Sequence, residues 1–451
     1  MFQTIANAFR NKEVRTKLFL TLLILFIYRV GCWIPVPGLD TSVLQTGSQA
    51  GGAFDATASG SNTFLALLNG ITGDALKNGA LLALGISPYI NASIISQLLT
   101  IAIPVLQNWS REGDEGRKKM ANFTRVLTVI LALVQAIGIV YSFSQANYLS
   151  TGSSNVFSVN FPDFVFGMLI VLVLVSGSVF TMWLGEKLTD IGIGNGISLL
   201  IFVGILSTAG LSIVSVIQSW IDEGPSSMAP WYLLIFFALV IVIFGLITFI
   251  DGAERKIPVQ YAKMIKGRKQ YGGQSTFIPI KVNASGVLPI IFATAVITFP
   301  QLIMQLFNAQ SNWWIEWFGS GQPLYFVLAA LLIFGFSYFY AKIQFKPDEV
   351  ARNLQQYGGF IPGIRPGKPT VEYLGRINNR LTFFGALYLA FVFVVPSVVF
   401  SVLNSTNILT SALVSAFSST GMMIVVSVAL EFQKQLEAQL MMRQYKGFLN
   451  K

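Results

Sequence analysis

The chain of 451 residues has no histidine and a single cysteine, Cys32. It therefore lacks the commonest general base and metal ligand, and it can form no internal disulfide. A Ser-His-Asp arrangement is impossible. Carboxylates close enough in sequence to act as an acid and base pair are Glu186 with Asp190 and Asp251 with Glu254. Both pairs stand only at the ends of apolar stretches, so no catalytic set is visible. The glycines Gly192, Gly194 and Gly196 lack the spacing of a dinucleotide loop, and no P-loop lysine follows them. Close helix packing and a loosened helix start account for them. No cofactor or metal site is implied. What remains are Ile86 with Ile90 and Ile197 with Ile201, each pair four residues apart and so on one helix face, and the amides Asn91, Gln135 and Asn283. Taken alone, these mean packing, lipid contact or interhelical hydrogen bonding.

The elements that carry these residues are membrane spans. The chain is 53% hydrophobic and 11% charged, with a mean hydropathy of +0.64, whereas a soluble domain has roughly twice that charged fraction. Apolar runs between charges place spans near Leu18–Ile34, Ala80–Leu106, Val126–Phe143, Phe164–Leu184, Gly196–Val216, Trp231–Ile250, Gly286–Leu306, Leu324–Ile343, Leu381–Phe400 and Ile408–Leu430. Each is near the ~20 residues that cross a bilayer as a helix. The first follows a basic N-terminus as a signal peptide would, but nine more follow it, so it reads as retained.

Of the 30 Lys and Arg residues, 28 lie in alternate gaps between these runs. The other gaps hold only Lys77, together with Asp40, Asp55, Asp74, Asp163, Asp222, Glu223 and Glu316. By the positive-inside rule both termini and the basic gaps are cytoplasmic. The net charge of +10 is concentrated there, which favours acidic partners or anionic phospholipid on that side.

Five spans precede a polar link at 218–230 and five follow it. An odd number in each half makes the second half enter with the opposite orientation, the arithmetic of an inverted repeat. The expected fold is all-α: a polytopic membrane protein with ten transmembrane helices as two inverted five-helix halves. The halves are residues 1–217 and 231–430, followed by a cytoplasmic tail at 431–451. The functional site is expected between the halves. In the long external gap lies an apolar island, Thr63, Phe64, Leu65, Ala66, Leu67, Leu68, Asn69, Gly70 and Ile71, too short to span. It is either a half-helix that dips back under cover of protein or a helix on the loop surface. The cytoplasmic gaps at about 254–283 and 344–380 exceed what a connector needs and should project as a docking surface. A secondary transporter of a small solute is the rival reading. Such proteins usually keep carboxylates or histidines at mid-membrane, and these spans hold none. Arg29, the one charge more than a residue inside a span's bounds, reads as a structural anchor that snorkels outward.

Five strings go further: RVGCWIPVPGLD at Arg29–Asp40, LGISPYINASIISQLL at Leu84–Leu99, DIGIGNGISLLIF at Asp190–Phe202, QSTFIPIKVNASGVLPIIFA at Gln274–Ala293 and FIPGIRPGKPT at Phe360–Thr370. Through them the chain resembles, end to end, the bacterial SecY family, central subunits of the Sec protein-conducting channel. It departs from the pattern at Met422 and Met423, where other members often have leucines, and in its own Gly/Ser-rich first external loop.

The resemblance implies a central pore, closed at mid-depth by a ring of branched apolar side chains that excludes water and so blocks ions. Ile86, Ile90, Ile197, Ile201, Ile291 and Ile424 match the ring positions. The island Thr63–Ile71 matches the plug, and Asn91, Gln135 and Asn283 match the polar cluster of a lateral gate between spans 2 and 7. Arg255, Lys256, Lys263, Arg268, Lys269, Arg365 and Tyr445 match positions that receive a motor or the ribosome. The partners so implied are SecE and SecG-like small membrane subunits, the SecA ATPase, the ribosome and an unfolded preprotein with its signal sequence. The implied location is the bacterial plasma (inner) membrane, multi-pass, and the implied activity is translocation without catalysis.

Overall fold

A computed structural model describes residues 9–37, 39, 69–70, 72–145, 163–223, 230–261, 264–266, 269–271, 275–306, 317–318, 322–405 and 419–449. Helices occupy at least part of every stretch expected to span. Helix α1 is Lys12–Gly31, started by Asn11, whose Oδ1 accepts from the Glu13 N–H at 3.3 Å, a side-chain cap reinforced by the acid in the first turn.

The second expected span, Ala80–Leu106, is corrected at both ends. Residues 81–86 form turns, and α2 is Ser87–Ala102 with Pro88 in its first turn. Ile103 then takes an extended conformation, φ −109° and ψ 116°, because a residue before proline avoids the helical region. Beyond it α3, Pro104–Arg111, departs at 104°.

Then come α4 (Asp114–Gln145), α5 (Asp163–Ile191) and α6 (Gly196–Glu223). Helix α6 continues through the first part of the expected polar link, whose residues 224–229 lie outside the described ones. The second half contains α7 (Pro230–Asp251), α8 (Leu288–Leu306), α9 (Pro323–Gln344), α10 (Pro347–Gln356), α11 (Lys368–Ser405) and α12 (Ser419–Leu449). The tail expected from 431 is therefore a continuation of α12. Among the described residues, five helical segments are long and apolar enough to cross a membrane unaided: Asp114–Tyr141, Val165–Ile191, Gly196–Val214, Pro323–Gln356 and Lys368–Val399. The bent pair α2 and α3 makes a sixth if taken as one span.

The all-α expectation omits a small sheet. Strands β1 (Glu254–Tyr261), β4 (Ser275–Lys281) and β5 (Gly359–Phe360) form it in the order β4-β1-β5, and β2 (Met264–Lys266) pairs with β3 (Lys269–Tyr271) at the hairpin tip. Pro258 is tolerated in β1 because β5 pairs only with Gln260 and Tyr261, leaving the proline a single neighbour, Phe277. One face of the sheet, Ile257, Val259 and Ile280, is buried with Leu354 of α10 and Leu374 of α11.

Two apolar cores hold the bundle. Phe236, Ile247, Ile290, Ile333, Leu389 and Met423 belong to a core made by α7, α8, α9, α11 and α12. Leu84, Ala136, Ile139, Phe143, Ile170 and Leu174 belong to one made by α4, α5 and the turns before α2. Each core draws on one half of the sequence only, which is what lets the halves act as bodies with a seam between them.

Candidate constriction, gate and docking face

A third apolar cluster crosses that seam. It contains all six isoleucines of the expected ring: Ile86 and Ile90 at the start of α2, Ile197 and Ile201 in the first turns of α6, Ile291 on α8 and Ile424 on α12. Ile86, Ile201 and Ile424 are 2%, 6% and 3% exposed, and the other three are half-buried against the same group. Leu184, Leu200, Leu188 and Val428 complete the packing; a sequence reading had no way to separate these from ordinary span leucines. Gly185 of α5 lies between two of the isoleucines. A methyl group there would stand 3.3 Å from Ile86 Cδ1 and 3.2 Å from Ile197 Cγ1.

The three amides of the expected gate are not joined to one another by hydrogen bonds. Gln135 of α4 is 4% exposed, and its Oε1 has no partner. Asn283, 6% exposed, donates from Nδ2 to Asp251 Oδ1 at 2.8 Å. Asn91 is half-buried on α2. Helix α4 packs along α2 and also touches α8, whereas α2 and α8 make at most glancing contact. The polar link seen between α2 and α4 runs instead from Thr124 Oγ1 to Ser96 Oγ, 3.2 Å.

Of the expected plug only Asn69 and Gly70 are described; Thr63, Phe64, Leu65, Ala66, Leu67, Leu68 and Ile71 lie outside the described residues. Just after it the chain turns through Gly73 and Asp74, both with positive φ (71° and 66°). Asn69 ties this turn together, donating to Asp74 Oδ1 at 2.7 Å and accepting from the Lys77 N–H at 2.9 Å. Burial raises the Asp74 carboxyl above its ordinary range, against the opposing pull of Lys77, Asn69 and Arg29. Arg29 is a correction to the snorkelling expectation. It turns inward, donating from Nη1 to the Gly73 carbonyl at 3.1 Å and from Nη2 to Ser207 Oγ on α6. It is an anchor, but one that fastens this turn to α1 and α6.

In the gaps expected to dock a partner, Arg255 and Lys256 are exposed on β1, Lys256 pairing with Glu254 at 3.6 Å. Lys263 and Arg268 lie outside the described residues. Lys269 opens β3 and Tyr445 falls in the last turns of α12, with neither side chain described. Arg365 is exposed in the turn before α11, held by Thr370 Oγ1 donating to its carbonyl at 2.9 Å and by Gly363 and Gly367 with φ of 81° and 98°. The carboxylates that sequence spacing made conspicuous have structural partners. Glu186 takes two hydrogen bonds from Arg125, at 3.0 and 2.8 Å, and Asp251 accepts from Asn283 and from Ser427 Oγ.

Comparison with known proteins agrees with this arrangement. A SecY family model matches residues 80–433. The protein translocase subunit SecY of Halalkalibacterium halodurans is 42% identical over 458 residues, covering 100% of both chains. That of Corynebacterium glutamicum is 41% identical over 462 residues, covering 99% of each. A solved structure of a protein-conducting channel aligns with a TM-score of 0.61 at 21% identity, over 94% of this chain and 91% of its own. Sec61 in a canine ribosome-channel complex aligns with 0.58 at 19%, over the same shares. At those identities the likeness to the solved structures concerns the fold. With the matched segment spanning both cores and the seam cluster between them, the chain belongs to the SecY family.

Proposed function

We propose that this chain is the pore-forming subunit of a protein translocase. It conducts unfolded secretory polypeptides across the plasma membrane of a bacterium and releases apolar segments sideways into lipid. The observation that carries this reading is the gathering of six isoleucines, from both halves of the sequence, into one apolar cluster. Aliphatic side chains around a narrow waist leave water no hydrogen-bonding partners, so ions do not cross. The same contacts are non-directional and individually weak, so a passing chain displaces them and they re-form behind it.

The scarcity of contact between α2 and α8 among the described residues supports a lateral exit at that seam, with Asn91, Gln135 and Asn283 around it. A leucine-rich segment gains by leaving through it, and each central charge costs about 3 kcal/mol. The apolar segment at 63–71 acts as the plug, its root fastened by Arg29. The chain carries no nucleotide motif, so an ATPase of the SecA kind or a translating ribosome supplies the push. Membrane potential adds about 2.3 kcal/mol per charge per 100 mV. Arg255, Lys256, Lys263, Arg268, Lys269, Arg365 and Tyr445 form the docking face for that motor, and the matching of the fold to a Sec61 in a ribosome-channel complex supports the ribosomal option. SecE-like and SecG-like subunits clamp the halves, anionic phospholipid neutralises the basic side, and both termini are cytoplasmic.

The test is to replace Ile86 and Ile201 with asparagine in the full-length chain and to record conductance in planar bilayers alongside export of a substrate with a defective signal sequence. Increased closed-state leak and relaxed export are expected. Unchanged conductance and an unchanged signal requirement would refute the constriction.

A further inference from the structure

Asp251 has no part in the reading above, yet it stands where the docking face meets the constriction. It is the last residue of α7, separated from β1 by Gly252 and Ala253. Its Oδ1 accepts from Asn283 Nδ2 at 2.8 Å, and its Oδ2 accepts from Ser427 Oγ. Among the described residues no Lys or Arg pairs with it. Asn283 is in turn fixed by Ser285 Oγ, which donates to its Oδ1 at 3.4 Å. The Val282 N–H donates to the Ala253 carbonyl at 3.1 Å, closing the foot of the β1–β4 ladder beside this bond. Gly385 of α11 packs directly on that foot: a Cβ there would stand 2.6 Å from the Val282 carbonyl oxygen.

The two donors to Asp251 lead to two ring positions. Ser427 lies three residues after Ile424 on α12, on the same helix face. Asn283 leads through one turn into α8, which carries Ile291. One carboxylate thus joins the root of the β1–β4 hairpin to both helices through which the C-terminal half contributes to the constriction. Removing an acceptor here leaves a buried amide and a hydroxyl unsatisfied, a cost that directional bonds impose and apolar packing does not.

We propose that Asp251 is a positioning residue for the constriction: it sets the spacing of Ile291 against Ile424 and relays displacement of the β1–β4 hairpin to both. This rests on the reading of the six isoleucines as a closed waist. A motor that pulls or tilts the hairpin shifts the acceptor, and α8 and α12 follow together.

The test uses the full-length chain, in the complex in which it purifies, with closed-state conductance and melting temperature measured on the same preparations. Asp251→Asn keeps an acceptor for Asn283 Nδ2 but removes the charge that strengthens both bonds, and is expected to raise the leak about tenfold, the difference between charge-assisted and neutral bonds. The exchange Asp251→Asn with Asn283→Asp returns a charged acceptor to the pair and is expected to bring the leak back to within about twofold of the parent. Ser427→Ala removes the other bond alone, with an expected rise of about threefold. Ile424→Asn serves as the control for the waist. If Ile424→Asn leaks while Asp251→Asn and Ser427→Ala do not, or if the exchange leaks as much as the single variant, the positioning role is wrong. A lowered melting temperature with unchanged leak would likewise reduce Asp251 to a structural residue. A tight Ile424→Asn channel would remove the waist itself, and this role with it. Should Asp251→Asn fail to fold, the exchange and Ser427→Ala decide the matter.

Discussion

The two halves of the molecule hold their shares of the constriction by different means. Ile86, Ile90, Ile197 and Ile201, from the N-terminal half, are packed by other aliphatic groups, with Gly185 between two of them and Leu184, Leu188 and Leu200 around them. Ile291 and Ile424, from the C-terminal half, ride on helices tethered by hydrogen bonds to Asp251. Apolar packing has no preferred direction, so the N-terminal share yields and recovers. A carboxylate between two donors has a geometry, so the C-terminal share moves as a unit. On the proposed reading one side of the waist is compliant and the other is steered, and the steered side is the one rooted in the β1–β4 hairpin.

That contrast can be broken at either side. The largest effect is expected from Ile201→Asn, which buries an amide among aliphatic neighbours; about 3 kcal/mol of stability should be lost, read as a fall in melting temperature in detergent. Gly385→Val comes next. Its Cβ meets the backbone of Val282 rather than a movable side-chain tip, so about 2 kcal/mol should be lost, together with increased closed-state leak. A stable but leak-free Gly385→Val would mean that the hairpin foot and the waist are independent. Gly185→Ala should cost under about 1 kcal/mol, since it presses only on the flexible ends of Ile86, Ile197 and Leu200. A cost as large as that of Gly385→Val would abolish the distinction between a compliant and a steered side. A double-mutant cycle on Arg125 and Glu186, whose side chains are 47% and 24% exposed, should give a coupling of at most about 1 kcal/mol. Smallest of all, Lys256→Ala should change stability by less than about 0.5 kcal/mol while weakening motor binding in a co-sedimentation assay.

The apolar runs were readable because hydropathy is local. The cap at Asn11 and the break before Pro104 also have local causes, yet the expected span Ala80–Leu106 ran straight through that proline. Other features were hidden by the same locality. Residues 81–86 are apolar and pass for the start of a span, yet they form turns buried in the cores. The β1–β4 ladder was illegible because Pro258 and Pro279 argue against strands, and only the pairing with a distant segment and the cluster beneath it accommodate them. Arg29 looked like an outward anchor because nothing near it in sequence is a suitable acceptor; Gly73 and Ser207 are brought to it by the fold.

What the order of residues determined by itself was the membrane-spanning class of the chain and most of its apolar runs, since hydropathy acts residue by residue against lipid and water. What the tertiary structure alone decided was which leucines and valines complete the isoleucine cluster and what Asp251 holds. A spacing of four residues says that two side chains share a helix face, but not what that face meets. Only packing between helices separated by hundreds of residues answers that.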